Sequence, residues 1–256
     1  MNLLFLIRVE FQKIRRSKIV LILAIAAIIM WIPAMINGDV NFKMDDIGIS
    51  PENNFLIQGF LGMAWFMFPA SMIVSTVLLH QTERGNRGIL KMLSLPIRGT
   101  SLCIAKFIVL LALSILQMVM TVIMYYISAL VVSKTQNYDF ILPFSFVIKE
   151  TALMLISGIP MLTVFWLLSI LIETPIFSIG IGLASIVPSV LMINTKVWFA
   201  YPMAYPFYVI TNEYAKLTTN MSDTTLDLIP FLPTAIGISV ICLLISCLGF
   251  GRSERK

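Results

Sequence analysis

One histidine, three cysteines and thirteen carboxylates are the side chains from which a reactive site in this chain could be built. His80 stands alone, so neither an H-x-x-x-H zinc pair nor a triad with a histidine base can be assembled. Cys103 lies in a basic segment, Cys242 and Cys247 in an apolar run, and no disulfide framework or metal-ligand spacing results. There is no G-x-x-x-x-G-K-[ST] stretch, the loop whose backbone cradles nucleotide phosphates. What remains is contact chemistry: a basic loop around residue 90, a stripe of small residues near 180 and a cluster of aromatic rings near 205.

The elements that must position these features follow from composition. The chain has 256 residues, 59% hydrophobic and 12% charged, with a mean hydropathy of +0.94. Soluble domains carry about 25% charged residues. A single core of this length cannot bury so much apolar surface and still cover its outside with polar groups. The composition excludes a soluble enzyme, a disordered chain and a disulfide scaffold. It predicts an all-α membrane protein of one domain, residues 1–256.

Six runs free of Asp, Glu, Lys and Arg reach the roughly 20 residues that cross a bilayer. They are Ile19–Ile36, Phe55–Leu79, Phe107–Val132, Ala152–Ile172, Ile176–Ile193 and Ile229–Phe250. Thirteen of the 18 Lys and Arg residues fall on the side holding residues 1–18, the loop 80–106 and the C-terminal tail. Nine of the 13 acids fall on the other side, so the formal net charge of +5 divides into +9 and −4. The positive-inside rule then predicts six transmembrane helices with both termini cytoplasmic. The first apolar stretch exceeds the roughly 7–15 residues of a signal peptide and lacks a clear small-residue cleavage site, so a retained helix is expected.

Residues 1–18 read as an interfacial helix. Leu3, Leu4, Ile7, Phe11 and Ile14 share an arc, Arg8, Lys13, Arg15 and Arg16 lie mostly opposite, and Glu10 breaks one edge of the stripe. The loop 80–106 holds a helical candidate, Gly88–Leu95, ended by Pro96, with Ile89, Met92, Leu93 and Pro96 on one face. An exposed apolar face in such a loop implies a docking partner. In the fifth span Ser178/Gly182, Gly180/Ala184 and Ser185/Ser189 are small-xxx-small pairs that permit close helix approach, within the chain or in a dimer. Pro69, Pro160 and Pro188 interrupt spans. The outer loop 194–228 carries Trp198, Tyr201, Tyr205, Phe207 and Tyr208, and reads as an interfacial or re-entrant piece. The first outer loop, with Asp39, Asp45, Asp46 and Glu52 against Lys43, either attracts a cationic peptide or, as is commoner for such a loop, is merely solvated.

The loop carries a family resemblance. Glu83-Arg84, Gly88, Lys91-x-Leu93-x-x-Pro96-Ile97-Arg98 and the closing Ala105-Lys106 resemble the loop of ABC-2 type transporter permeases. The basic amphipathic start, six spans, short four–five link and aromatic outer loop resemble that family as well. The resemblance implies the ABC-2 exporter fold, with a cytoplasmic coupling helix seated in a cleft of a separate ATPase subunit. Glu83, Arg84, Gly88, Ile89, Lys91, Met92, Leu93, Pro96 and Arg98 are then the ATPase-coupling residues. Lys91 departs from the pattern, where many members carry an acid. The resemblance further implies two ATPase copies that bind ATP and Mg, no cofactor or metal held by this chain, no catalytic residues, no nucleic-acid partner and a second permease, identical or homologous.

Within that family the chain looks most similar to small permeases of the bacterial cell membrane that give lantibiotic immunity or bacitracin resistance. Expulsion of an antimicrobial peptide is the function implied. Permeases for another hydrophobic drug, a lipid or an ion are the alternative, and an ATP-independent transporter or channel a second. Ion-coupled carriers place ionisable groups within their spans, and these six runs have none.

Overall fold

The computed structural model describes residues 3–15, 17–84, 99–172, 174–218 and 228–253, and these form helices, turns and links without strands. Six helices are long and apolar enough to cross a membrane. Helix α1 (Leu3–Ile14) turns into α2 (Ile19–Ile36) at Ser17. The Ser17 hydroxyl donates to the Ile14 carbonyl (2.8 Å) and accepts from the Ile19 N–H (3.4 Å). The second crossing changes pitch midway. α3 (Pro51–Gly62) starts on a proline, whose missing N–H is harmless in a first turn, and α4 (Phe68–Arg84) follows a π turn at Met63–Met67. Pro69 has no N–H to give the Trp65 carbonyl, and the wide turn accommodates its ring.

Helix α5 (Gly99–Gln136) has 38 residues. At 1.5 Å per residue it is about 57 Å long, far beyond a hydrocarbon core of about 30 Å. The predicted span 107–132 is thus the middle of a rod that also carries Lys106 and Lys134. It stops at Asn137, whose φ of 51° is left-handed, a conformation asparagine tolerates. The link to α6 (Phe144–Leu171) is pinned by Tyr125, whose hydroxyl donates to the Phe140 carbonyl and accepts from the Leu142 N–H, both at 3.0 Å. α6 begins two turns earlier than the predicted span 152–172. Glu150, which precedes the predicted span, is therefore helical and buried. The last elements are α7 (Pro175–Ile186), α8 (Ser189–Met192) beyond the break at Pro188, α9 (Tyr205–Leu217) and α10 (Leu228–Ser253).

α6 is the central post, packed on α4, α5, α9 and α10, while α5 carries α1 and α2. Two aromatic nodes fill the interior. Trp31 meets Phe55 (5.6 Å) and Tyr125 (5.5 Å) toward the acidic end of the bundle, the end holding residues 37–50 and 193–217. A Cβ on Gly59 would fall 2.6 Å from the Trp31 ring, so that approach requires glycine. Toward the basic end, Trp166 stacks on Phe250 (6.2 Å) and His80 meets both rings edge-on. Outside these nodes Leu21, Ile28, Ile176, Ile181, Ile236 and Leu244 point away from the chain. That outward apolar coat suits hydrocarbon rather than water.

Candidate functional site

The ends of α4 and α5 that frame the connection 85–98 are joined to α1 by one ammonium group. Lys106, on the first turns of α5, is fully buried. Its Nζ donates to Glu10 Oε2 at 2.9 Å and to the Leu79 carbonyl at 3.3 Å. Glu10, also fully buried, receives a second cation at its other oxygen, Lys13 Nζ at 2.5 Å. Three elements distant in sequence thus converge on one charge. A buried pair of this kind persists only if its remaining donors and acceptors are satisfied, because each ion loses several kcal/mol of hydration. Beneath it, Trp166 Nε1–H points at Cys103 Sγ (3.3 Å), so α6 joins the same corner.

This corner revises the reading of α1. The side facing the protein is Leu6, Glu10 and Ile14, at spacings of four, and not the whole stripe Leu3, Leu4, Ile7, Phe11 and Ile14. Leu3, Leu4 and Phe11 are exposed. The apolar arc serves two surroundings, protein on one flank and the outside of the bundle on the other, and periodicity alone does not separate them. Glu10 is the point of attachment rather than a flaw. A sequence signal existed: one acid inside a basic amphipathic helix, and one lysine at the threshold of a long apolar run.

Of the residues expected to meet an ATPase, Glu83 and Arg84 close α4. Gly88, Ile89, Lys91, Met92, Leu93, Pro96 and Arg98, and with them the helix expected at Gly88–Leu95, lie outside the described residues.

The small residues of α7 divide between two faces. Ser178 and Gly182 are buried toward α4, and a Cβ on Gly182 would fall 2.3 Å from Ile73 Cγ1. Gly180 and Ala184 face outward, with nothing within 4 Å of a Cβ on Gly180. Ser185 is half-buried and its hydroxyl donates to the Gly182 carbonyl (2.6 Å).

The aromatic residues gather at the acidic end. Trp198 stacks on Tyr208 (3.7 Å) and faces Phe231 (5.6 Å), and Tyr205 meets Phe231 edge-on (4.8 Å). The Tyr201 hydroxyl donates to the Ser185 carbonyl, and that of Tyr205 to the Phe199 carbonyl (2.5 Å). Burial pushes both phenols above their ordinary value. Phe207 stands apart, near Trp65 (6.4 Å).

A family model described as ABC-2 family transporter protein matches residues 6–189, more than two thirds of the chain. The chain belongs to that family. It is therefore an ABC-2 membrane permease, a transport subunit, and a multi-pass membrane protein. The matched segment runs from the buried face of α1 through the Glu10–Lys106 corner to α8, and leaves α9 and α10 beyond it. No curated protein and no solved structure matches this permease.

Proposed function

We propose that this permease is the membrane subunit of an ATP-driven exporter that expels an antimicrobial peptide, lantibiotic-like or bacitracin-like, from a bacterial membrane. The peptide rests on the family resemblance of the chain, and the observation that supports coupling to an ATPase is the buried Glu10–Lys106 tie. It ties α1, the end of α4 and the start of α5 to one another. A push delivered to the loop 80–106 by a partner ATPase passes through them to the spans. The basic end is cytoplasmic, in line with the excess of Lys and Arg there, and both termini lie on that side. Two ATPase copies supply ATP and Mg, and a second permease completes the pathway, with the outward face of α7 around Gly180 and Ala184 open to it.

The test expresses the permease with its ATPase and measures peptide resistance together with ATP hydrolysis by the purified complex. Glu83→Ala and Leu93→Ala should each lower resistance at least 10-fold, with membrane insertion intact and hydrolysis no longer stimulated by peptide. Full resistance in both variants would overturn the coupling-loop assignment. Hydrolysis by the wild-type complex that peptide does not stimulate, together with no peptide protection, would move the substrate to another hydrophobic molecule.

A further inference from the structure

At the acidic end, α6 and α9 hold two carboxylates beside an apolar cavity. Glu150 is fully buried, and neither of its oxygens accepts a hydrogen bond. Its contact is with Lys149 Nζ at 3.2 Å, an ionic approach without hydrogen-bond geometry. Glu213, on α9, is nearly as buried and is met by Lys149 (3.5 Å) and Lys216 (2.5 Å). The two acids are the fixed part of this cluster. The two lysines are its outer part, with side chains 59% and 43% exposed, and a cation so placed is held weakly against water.

One helical turn away lies an open cavity of about 510 Å³, walled by Leu153, Ser157 and Pro160 of α6, Val209 of α9, and Phe231 and Ala235 of α10. The size is that of a small-molecule site. The Ser157 hydroxyl is committed to the Met154 carbonyl (3.0 Å), so it leaves this part of the wall apolar. Glu150 precedes Leu153 and Ser157 by three and seven residues, and Glu213 follows Val209 by four. Acid and cavity wall therefore share a face on both helices. Exposed Ile156 and Ile236 flank the opening, on the side of the bundle that meets lipid.

We infer that this is a binding site for an amphipathic cation, its apolar part in the cavity and its ammonium or guanidinium group on Glu150 and Glu213 in place of Lys149. A ligand cation supplies the hydrogen-bond donors that Glu150 lacks, and the displaced lysine regains its water. Charge complementarity favours a cation over a neutral or anionic lipid, since the connections on this side carry the −4 balance of the chain. The assignment rests on the exporter reading only for its consequence, which is that the transported molecule is cationic and enters from the outer half of the membrane.

Trp198, 5.6 Å from the cavity residue Phe231, is a built-in reporter. The full chain, in nanodiscs of zwitterionic lipid and without ATPase, is titrated with octylammonium, octanol and octyl sulfate, with empty nanodiscs correcting for partition. Octylammonium should change the emission saturably, and Trp198→Phe should abolish the change. Glu150→Gln with Glu213→Gln should weaken octylammonium at least 10-fold and leave octanol unaltered. Ala235→Phe, which fills the cavity without touching the acids, should weaken both. Equal binding of octylammonium by wild type and the double variant, or equal binding of octanol and octylammonium by wild type, would overturn the site. Such a failure leaves the exporter reading standing, because no ATPase takes part. Loss of coupling-loop function would in turn leave this binding intact.

Discussion

The two ends of the bundle each bury a glutamate beside lysines, and they do so in opposite ways. At the basic end Glu10 is met by two ammonium groups, and one of them, Lys106, is itself fully buried and also bonded to a backbone carbonyl. At the acidic end Glu150 is equally buried but accepts no hydrogen bond, and its cation stands mostly in solvent. The first arrangement is closed, a buried acid held at both oxygens by cations of α1 and α5. The second is open, with a desolvated acid whose counter-ion can be exchanged. On the proposed reading, a lock fits the end that would take force from an ATPase, and an exchangeable site fits the end that would meet a ligand.

The largest expected effect breaks the lock. Glu10→Leu removes the buried acid that meets both Lys106 and Lys13 and should destabilise the permease by about 3 kcal/mol, read as a lowered Tm of the detergent-solubilised protein. Combining it with Lys106→Met should recover most of that loss, because an apolar pair of similar volume replaces a desolvated ion pair. If the double variant is stable yet fails to transport, the pair serves transmission. Normal transport by a stable double variant would reduce it to scaffolding.

The same substitution at the other end sharpens the contrast. Glu150→Leu removes a buried acid with no hydrogen bond, and should leave stability unchanged or raise it by about 1 kcal/mol. A loss as large as that of Glu10→Leu would abolish the distinction between the two ends. Lys149→Ala, which takes from the buried Glu150 the cation 3.2 Å away, should cost about 1–3 kcal/mol, less than Glu10→Leu because the lysine itself is mostly exposed. Salt should separate the ends as well. Raising ionic strength from 0.1 to 1 M shortens the Debye length from about 10 to about 3 Å. Octylammonium binding at the acidic end should weaken markedly over that range, while the stability difference between wild type and Glu10→Leu changes little.

The six spans and the basic connection between the second and third were legible because bilayer physics is nearly one-dimensional: length and charge along the chain decide what crosses. The spans grew at their ends, as Lys106, Lys149 and Glu150 joined helices that outrun the hydrocarbon. The local rules that stop an apolar run at its first charge do not stop a helix, whose backbone bonds are indifferent to that charge. Ser178 and Gly182 turning inward while Gly180 and Ala184 turn outward was not legible, because a stripe of small residues says nothing about which side its neighbour occupies.

By itself the sequence determined a six-span membrane chain, its charge asymmetry and, through the loop pattern, its family. Those follow from composition and from order along one axis. Only the tertiary structure decided that Glu10 meets Lys106 across 96 positions of chain, and that Glu150 and Glu213 stand together beside an apolar cavity. Such pairings depend on which helices become neighbours, and packing in three dimensions sets this, not the pattern within any one helix.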